Sequence, residues 1–220
     1  NDAHKMGLNT SKVMKNMASN MKMLNKYNFK GGVQGLAKMA KTATKLGVDM
    51  NMVSGMADKL FDIEGAVDMS AQMQVMGGEW AKLADPFKLM YMARNDMDGL
   101  MESMGKAAES SVTFNKANGE MSISAMEMHK LRKIAEQTGV SYEELATAGK
   151  NARKFTEIKK QMGYNFDKDT QEFIANTATF KDGKASIMIK GEPKLISQLT
   201  SADKDALKAQ ITQKQSMKEM

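Results

Sequence analysis

The sequence predicts a mainly α protein, several short amphipathic helices followed by a small C-terminal β-hairpin in an α+β tail. Three observations carry the prediction. Apolar residues recur at helical spacing from Leu36 to Met162, capping residues stand ahead of most of those runs, and the pattern changes after Gly163 around Asp182-Gly183, a two-residue hairpin signal.

Taken in order, Thr10 to Phe29 reads as a lysine- and asparagine-rich helix with Met14, Met17 and Met21, amphipathic and peripheral, closed by Gly31-Gly32. Gly35 to Leu46 makes a second helix with Leu36, Met39, Ala40 and Ala43 on one side, ending at Gly47 where a left-handed cap is expected. Asp49 then caps a helix running to about Met76, broken by Gly77-Gly78. Asp85-Pro86 restarts the helical chain, aspartate as cap and proline at the first helical position, where its missing N–H costs nothing. Asn95-Asp96 caps Met97 to Ala108, whose Met97, Leu100, Met101 and Met104 form one stripe.

Between Ser110 and Ile123 the helical pattern lapses, and Asn118-Gly119 marks a short hairpin between Val112-Thr-Phe114 and Met121-Ser-Ile123. Ser124 with Glu127 and Ser141 with Glu144 are capping-box spacings that open helices over 125–138 and 142–162. Leu145, Ala148, Ala152, Phe155, Ile158 and Met162 give the latter a continuous apolar face. After Gly163 a short helix at Thr170 to Asn176 precedes the hairpin of 177–180 and 185–190. Gly191-Glu192-Pro193 turns the chain, and Thr200 with Asp203 opens a last helix that runs into the polar TQKQSMKEM. The expected organisation is a lysine-rich peripheral helix over 1–30, a helical body over 31–163 and an α+β segment over 164–220.

Composition bounds the function. There is no cysteine, hence no disulfide, thiolate nucleophile or iron–sulfur cluster. The longest apolar run near the centre, Leu89 to Ala93, falls far below the roughly 18 residues of a membrane span. Glycine-rich phosphate loops and nucleophile elbows are missing, and the two histidines, His4 and His129, read as packed or solvated imidazoles, so no enzyme, metal or cofactor is expected. The opening NDAHKMGLNTSK has no apolar signal core, and the chain reads as a piece of a longer polypeptide. Charge is segregated: nine lysines against one aspartate give +8 over residues 1–48, followed by −7 over 49–148 and +5 over 149–220. Such asymmetry suits self-association, an acidic lumen or nucleic acid, although solvated lysine faces are the commoner explanation.

Twenty-four methionines against eight phenylalanines and one tryptophan make the apolar surface flexible and adaptable. Methionine at helical spacing serves a core or an interface, a core more often. Val53, Met56, Leu60, Ile63 and Val67 alternate spacings of three and four along one seam. With Met97 and Met101 they are the candidate contact residues.

One phrase occurs twice. Residues 41–53, KTATKLGVDMNMV, match residues 133–145, KIAEQTGVSYEEL, at a constant offset, each a helix, a glycine turn, a cap and a helix. The second copy resembles the helix-turn-helix of DNA-binding domains, yet Glu143 and Glu144 would head the recognition helix against phosphate, and Arg153 and Lys154 come three turns later.

The run GLAKMAKTATKLGVDMNMVSGMADKLFDIEGAVDMSAQMQVMGG, with DPFKLMYMARNDMDGLMESMGK, MHKLRKIAEQTGVSYEELA and FIANTATFKDGKASIMIKGEPKLISQLT, resembles tail tape measure proteins of large tailed bacteriophages over Gly31 to Leu199. The resemblance implies a structural virion protein in the tail lumen or tail-tip hub. It acts in tail assembly, length determination and genome ejection, and is made in the host cytoplasm. It also implies partners: copies of the chain itself, packed three-fold by analogy, and tail tube and baseplate hub proteins. It brings no catalytic residue. The alternatives are a helix-turn-helix DNA-binding module and a membrane-active ejection protein.

Overall fold

The computed structural model describes residues 2–216. They form a mainly helical protein with one two-stranded and one three-stranded sheet, in two compact units. The helical unit takes residues 11–113 and 123–152, and the α+β unit takes residues 1–10, 114–122 and 153–220. These divisions differ from the expected ones at both ends. The first ten residues leave the lysine-rich segment for the α+β unit, where Ala3 and Leu8 are buried and Asn176 Nδ2 donates to the Met6 carbonyl at 2.7 Å.

In the helical unit, the helix expected over Thr10–Phe29 is two, α2 (Thr10–Ser19) and α3 (Met23–Lys26), after a short α1 at Asp2–Lys5. The break falls at Asn20, whose side-chain amide donates to the Asn16 carbonyl at 2.9 Å, a side-chain bond to the backbone that competes with continued helix. Nor is the segment simply peripheral, since Val13, Met23, Tyr27 and Phe29 are buried.

Helix α4 (Val33–Leu46) ends as expected on Gly47, at φ 71°. The long helix expected from Asp49 to Met76 does not form. Asp49 accepts from Asn51 N at 2.7 Å and caps a 3-10 turn at Met50–Val53, which leads into α5 (Ser54–Lys59). Asp62 then accepts from Gly65 N at 2.8 Å and begins a new helix, α6 (Ile63–Met76). The cap at Asp62 lies inside the run of Val53, Met56, Leu60, Ile63 and Val67, so the single seam read from their spacing is cut between Leu60 and Ile63.

Helices α8 (Pro86–Asn95, capped by Asp85) and α9 (Met97–Glu109, capped by Asp96) follow the sequence reading, whereas the four-residue α7 (Gly78–Ala81) forms where only a break was expected. Helix α9 packs on α4, where Gly105 faces the Leu46 side chain so closely that an added Cβ would stand 2.8 Å from Leu46 Cδ1. Met39, Met50, Met56, Met73, Met97, Met101 and Met104 are fully buried, so the unit's core is largely thioether packing. One carboxylate enters this contact: Thr42 Oγ1 donates to Asp98 Oδ1 at 2.7 Å, and burial pushes the Asp98 carboxyl above the usual range.

Helices α10 (Ala125–Thr138) and α11 (Tyr142–Lys160) open on the expected caps, with Glu127 N donating to Ser124 Oγ and Glu144 N to Ser141 Oγ. Helix α11 contributes Leu145 and Ala148 to the helical unit's core and Ile158 to that of the other unit, so its apolar face is divided between two cores.

The repeated phrase has a structural counterpart. Gly47 and Gly139 both end their helices in the left-handed region, at φ 71° and 76°, with Val48 and Val140 buried behind them. The corners then cap each other: Asn151 Nδ2 of α11 donates to the Leu46 carbonyl at 2.8 Å, and Lys59 Nζ of α5 to the Gln137 carbonyl at 2.7 Å. Lys59 and Asn151 are equivalent positions under the repeat offset. So are Gly55 and Thr147, and these too approach the opposite corner: a Cβ on Gly55 would lie 4.0 Å from the Gly139 carbonyl, and one on Gly47 would lie 3.5 Å from Thr147 Cγ2. The copies therefore meet in an approximately reciprocal way, with the accepting carbonyls one position out of register, since Leu46 corresponds to Thr138 and not to Gln137.

In the α+β unit, α12 (Lys168–Thr177) precedes the antiparallel strands β3 (Thr179–Lys181), β4 (Lys184–Ile189) and β5 (Glu192–Leu195), with α13 (Ser201–Ser216) last. Asp182 and Gly183, at φ 50° and 72°, form the expected two-residue turn between Lys181 and its partner Lys184. The expected hairpin is extended to a three-stranded meander. Lys190 and Gly191 repeat the positive-φ pair at 52° and 89°, so Glu192 pairs with Ile189 and Pro193 lies in an edge strand, where its missing N–H breaks no ladder. The Asn118-Gly119 hairpin also forms, between β1 (Thr113–Phe114) and β2 (Met121–Ser122), but its loop is longer than two residues: Gly119 N donates to the Asn115 carbonyl at 2.7 Å. Phe166, Phe173, Ile174, Ile187, Ile196 and Leu207 are buried together in the unit's core. Asp203 closes the last cap, accepting from Thr200 N and from Lys194 Nζ, each at 2.8 Å, and its lysine partner holds the carboxyl below the usual range.

Two stability predictions follow from this packing. Asn151→Ala is expected to cost about 1–2 kcal/mol, because the Leu46 carbonyl loses its donor. Gly47→Ala is expected to cost about 1–3 kcal/mol from the positive φ, plus a clash with Asn151 Nδ2, 2.5 Å from the added Cβ. Urea unfolding of the double variant checks this: its cost should fall short of the sum, because Asn151→Ala removes the clash.

Asp98 supplies the other. Its folded-state pKa is raised, so the native state binds the extra proton. Its contribution to stability therefore improves as pH falls from the raised value through the ordinary carboxylate range, and worsens as pH rises. Asp98→Asn keeps an acceptor for Thr42 and is expected to stabilise the protein at pH 7 while flattening that slope, as measured by urea midpoints across the acid range.

Candidate interaction surface

The seven contact candidates separate into two groups. Val53, Met56, Leu60, Met97 and Met101 are fully buried and belong to the helical unit's own core. Ile63 and Val67 are 49% and 47% exposed. The cap at Asp62 accounts for the difference, since it starts α6 in a new phase and turns Ala66, Met69 and Met73 inward in place of Ile63 and Val67.

These two residues have company that sequence reasoning missed. Helix α8, which packs along α6, exposes Phe87 (74%) and Tyr91 (59%), and Val75 at the far end of α6 is 83% exposed. Ile63 with Val67 and Phe87 with Tyr91 are both i,i+4 pairs, each a stripe down one helix. The helices run antiparallel: the Arg94 guanidinium at the end of α8 donates to the Phe61 carbonyl just before α6 and lies over the Phe61 ring, 5.7 Å from its centroid. The signal for this pair was present in the sequence, since Phe87 and Tyr91 stand off-phase from the inward Leu89, Met92 and Ala93 in one ten-residue helix.

Charges flank the stripes. Glu64 and Asp68 are exposed on α6, Lys88 and Arg94 on α8. Glu64, Asp68 and Lys88 have no ion-pair partner among the described residues.

No protein-family model matches this chain, and no curated protein or solved structure matches it.

Other groups that might have carried chemistry are engaged structurally. The open groove along Leu24, Asn25, Lys26, Tyr27, Asn28, Phe29 and Val33 has a volume of about 470 Å³; Asn28 Nδ2 donates to Asn95 Oδ1 at 3.3 Å, and two other polar groups of the groove serve one carboxylate. Lys26 Nζ reaches Asp58 Oδ2 at 2.6 Å and the Tyr27 hydroxyl donates to Asp58 Oδ1 at 2.8 Å. Burial, helped by Asp58, pushes the Tyr27 hydroxyl above its usual pKa. Arg153, considered above for DNA contact, pairs with the buried Glu157 at 2.8 Å. Among the described residues no three histidine or carboxylate side chains gather as a metal site, and no helix is long and apolar enough to cross a membrane.

The fold also mixes what the sequence segregates. Within the helical unit, seventeen basic side chains stand against fifteen acidic ones, for a net +2. The lysine-rich segment thus shares a unit with the acidic one, as Lys26 and Asp58 illustrate.

Core and surface methionine-region residues should separate on mutation. Met101→Ala is expected to cost about 2–5 kcal/mol as a buried truncation. Phe87→Lys and Tyr91→Lys should each stay within about 0.5 kcal/mol of the parent, as surface changes do. Urea unfolding followed by circular dichroism measures both.

Proposed function

We propose that this chain is a structural protein that works by protein–protein assembly, as a tail tape measure component of a tailed-phage virion, and that the exposed face of the α6–α8 hairpin makes the contact. The observation that carries the assembly reading is the pair of exposed apolar stripes, Ile63 with Val67 and Phe87 with Tyr91, on two packed helices. Large apolar side chains held outside a folded unit, paired along a helix, support a protein contact. The specific assignment draws on the sequence resemblance, whose segments FDIEGAVDMSAQMQVMGG and DPFKLMYMARNDMDG contain this hairpin.

The DNA-reading alternative is disfavoured by the packing of α11. Asn151 and Thr147 of that helix lie against the Gly47 corner, Glu143 is exposed on its first turn, and Arg153 is paired with Glu157. A groove-reading helix needs its first turns free and its charge positive.

Quantitative mass spectrometry of purified virions from a phage encoding the chain tests the assignment. A few copies per particle are expected, lost from particles induced to expel their DNA. Absence from virions, or full retention after DNA release, would overturn it. Carrying Phe87→Lys with Tyr91→Lys, the phage should assemble fewer tails from a chain that still folds.

A further inference from the structure

We infer that Asn118 with Gly119 is a modification site, an intramolecular deamidation that the docked β1–β2 hairpin holds off and its undocking releases. The inference is independent of the assembly reading.

The chemistry is local. Asn118 is the chain's only asparagine followed by glycine. With no Cβ beside it, the Gly119 amide nitrogen has the least hindered approach to the Asn118 side chain. Attack of that nitrogen on Cγ forms a cyclic succinimide; the Cγ–Nδ2 bond breaks, and the proton lost from Gly119 N leaves with Nδ2 as ammonia. Water then opens the ring. Cleavage between Cγ and the nitrogen gives aspartate, and cleavage between the main-chain carbonyl carbon and the nitrogen gives isoaspartate, with the backbone rerouted through Cβ. Asparagine and water thus become an acid and ammonia, with no oxidant or cofactor.

Folding occupies both reacting groups. Gly119 N donates to the Asn115 carbonyl at 2.7 Å. Glu120 holds the Asn118 carboxamide at both ends: Oδ1 accepts from Glu120 N at 3.0 Å, and Nδ2 donates to Glu120 Oε2 at 3.1 Å. Ring closure needs the carboxamide to swing onto Gly119 N and that nitrogen to give up its proton. These hydrogen bonds must loosen first.

The neighbouring hairpin keeps the loop closed. Strands β1 and β2 have two residues each, and a lone hairpin is marginal even when longer. Gly119 lies at φ 77°, where an added Cβ would stand 3.2 Å from both Gly183 N and Phe180 Cβ, and a Cβ on Gly183 would overlap the Lys116 carbonyl. The Phe114 and Phe180 rings pack with centroids 5.0 Å apart. The two hairpin tips are therefore interlocked at their glycines, while the Asn118 side chain stays exposed to water.

Conversion runs one way. Aspartate at 118 puts a carboxylate oxygen where Nδ2 meets the Glu120 carboxylate, exchanging a hydrogen bond for like-charge repulsion. Isoaspartate adds a backbone atom next to Gly119, in a slot already tight for a Cβ. Each product redocks less well than asparagine, so a hairpin that opens and converts does not regain its starting state.

Peptide mapping of the full chain by mass spectrometry, resolving aspartate from isoaspartate at position 118, tests this at one pH and temperature. Conversion in the native chain should be about tenfold or more slower than in the same chain unfolded in urea, because the loop's hydrogen bonds and docking must open first. Phe180→Ala should raise the native rate several-fold and leave the unfolded rate unchanged, with circular dichroism confirming the fold. If that variant does not fold, urea below the parent's unfolding midpoint replaces it, since opening of the hairpin alone should already speed conversion there. Chains converted while unfolded and then refolded should lose hydrogen-exchange protection over residues 114–122. Equal native and unfolded rates, a native rate indifferent to undocking, or full protection after conversion would each overturn the proposal.

Discussion

Two helices that stop on a left-handed glycine hold the helical unit in register. Gly47 and Gly139 have no side chain where another helix must pass, and the space goes to Asn151 in one case and is open to Lys59 in the other. Each incoming residue donates to a terminal carbonyl that has no partner within its own helix, Leu46 or Gln137. Residues far apart in sequence thus satisfy each other's helix ends, and a slide of one corner past the other breaks both bonds, leaving the part-buried Leu46 carbonyl without its donor. Buried Val48 and Val140 fix the angle at which the chain leaves each corner. The core that α4 and α9 close over Gly105, and the helices that follow from each corner, take their positions from this reciprocal arrangement.

Methionine fills the interior so defined. Met39, Met97, Met101 and Met104 come from α4 and α9, Met50 and Met56 from a 3-10 turn and the six-residue α5, and an unbranched thioether with three rotatable bonds adapts to the irregular gaps between such unlike elements where a branched side chain would not. Adaptability is therefore used mostly inside the unit, although Met14, Met21 and Met126 are exposed on it. The face left outside is composed differently: valine, isoleucine, phenylalanine and tyrosine, side chains with few rotamers and little entropy to lose on contact.

Sequence made most of the fold legible because the signals were local. Asp85-Pro86, Ser124 with Glu127, Ser141 with Glu144, Thr200 with Asp203 and Asp182-Gly183 all act within a few residues, and each stands where its chemistry requires. Misreadings arose where two local signals overlapped. The seam spacing from Val53 to Val67 and the cap at Asp62 make incompatible demands, and the cap prevailed because its bond to Gly65 N is made whichever way the helix faces. Asn20 ended α2 in the same manner. The sequence places the turn at Gly191-Glu192-Pro193 with Lys190 still in the strand; lysine seldom takes positive φ, yet the pairing of Ile189 with Glu192 imposes it on Lys190. For the candidate surface, periodicity assigned Met97 and Met101 to contact and missed Phe87 and Tyr91, since spacing reports that a stripe exists and not whether the protein's own helices already cover it.

Charge is informative at the scale of the fold and misleading at that of the sequence. Along the chain it falls into blocks of +8, −7 and +5, a profile that suggests a long-range field. Folding brings the first two blocks largely into one unit of net +2, and at physiological ionic strength fields from such a mixture are screened within about 8 Å. What survives is local order: acids on the exposed turns of α6, bases on those of α8, each beside an apolar stripe. Charges arranged this way contribute little at a distance, where the two rows cancel, and most at contact, where they penalise the wrong pairing of helices. Charge laid out in this way acts on the orientation of whatever surface comes into contact rather than on long-range attraction.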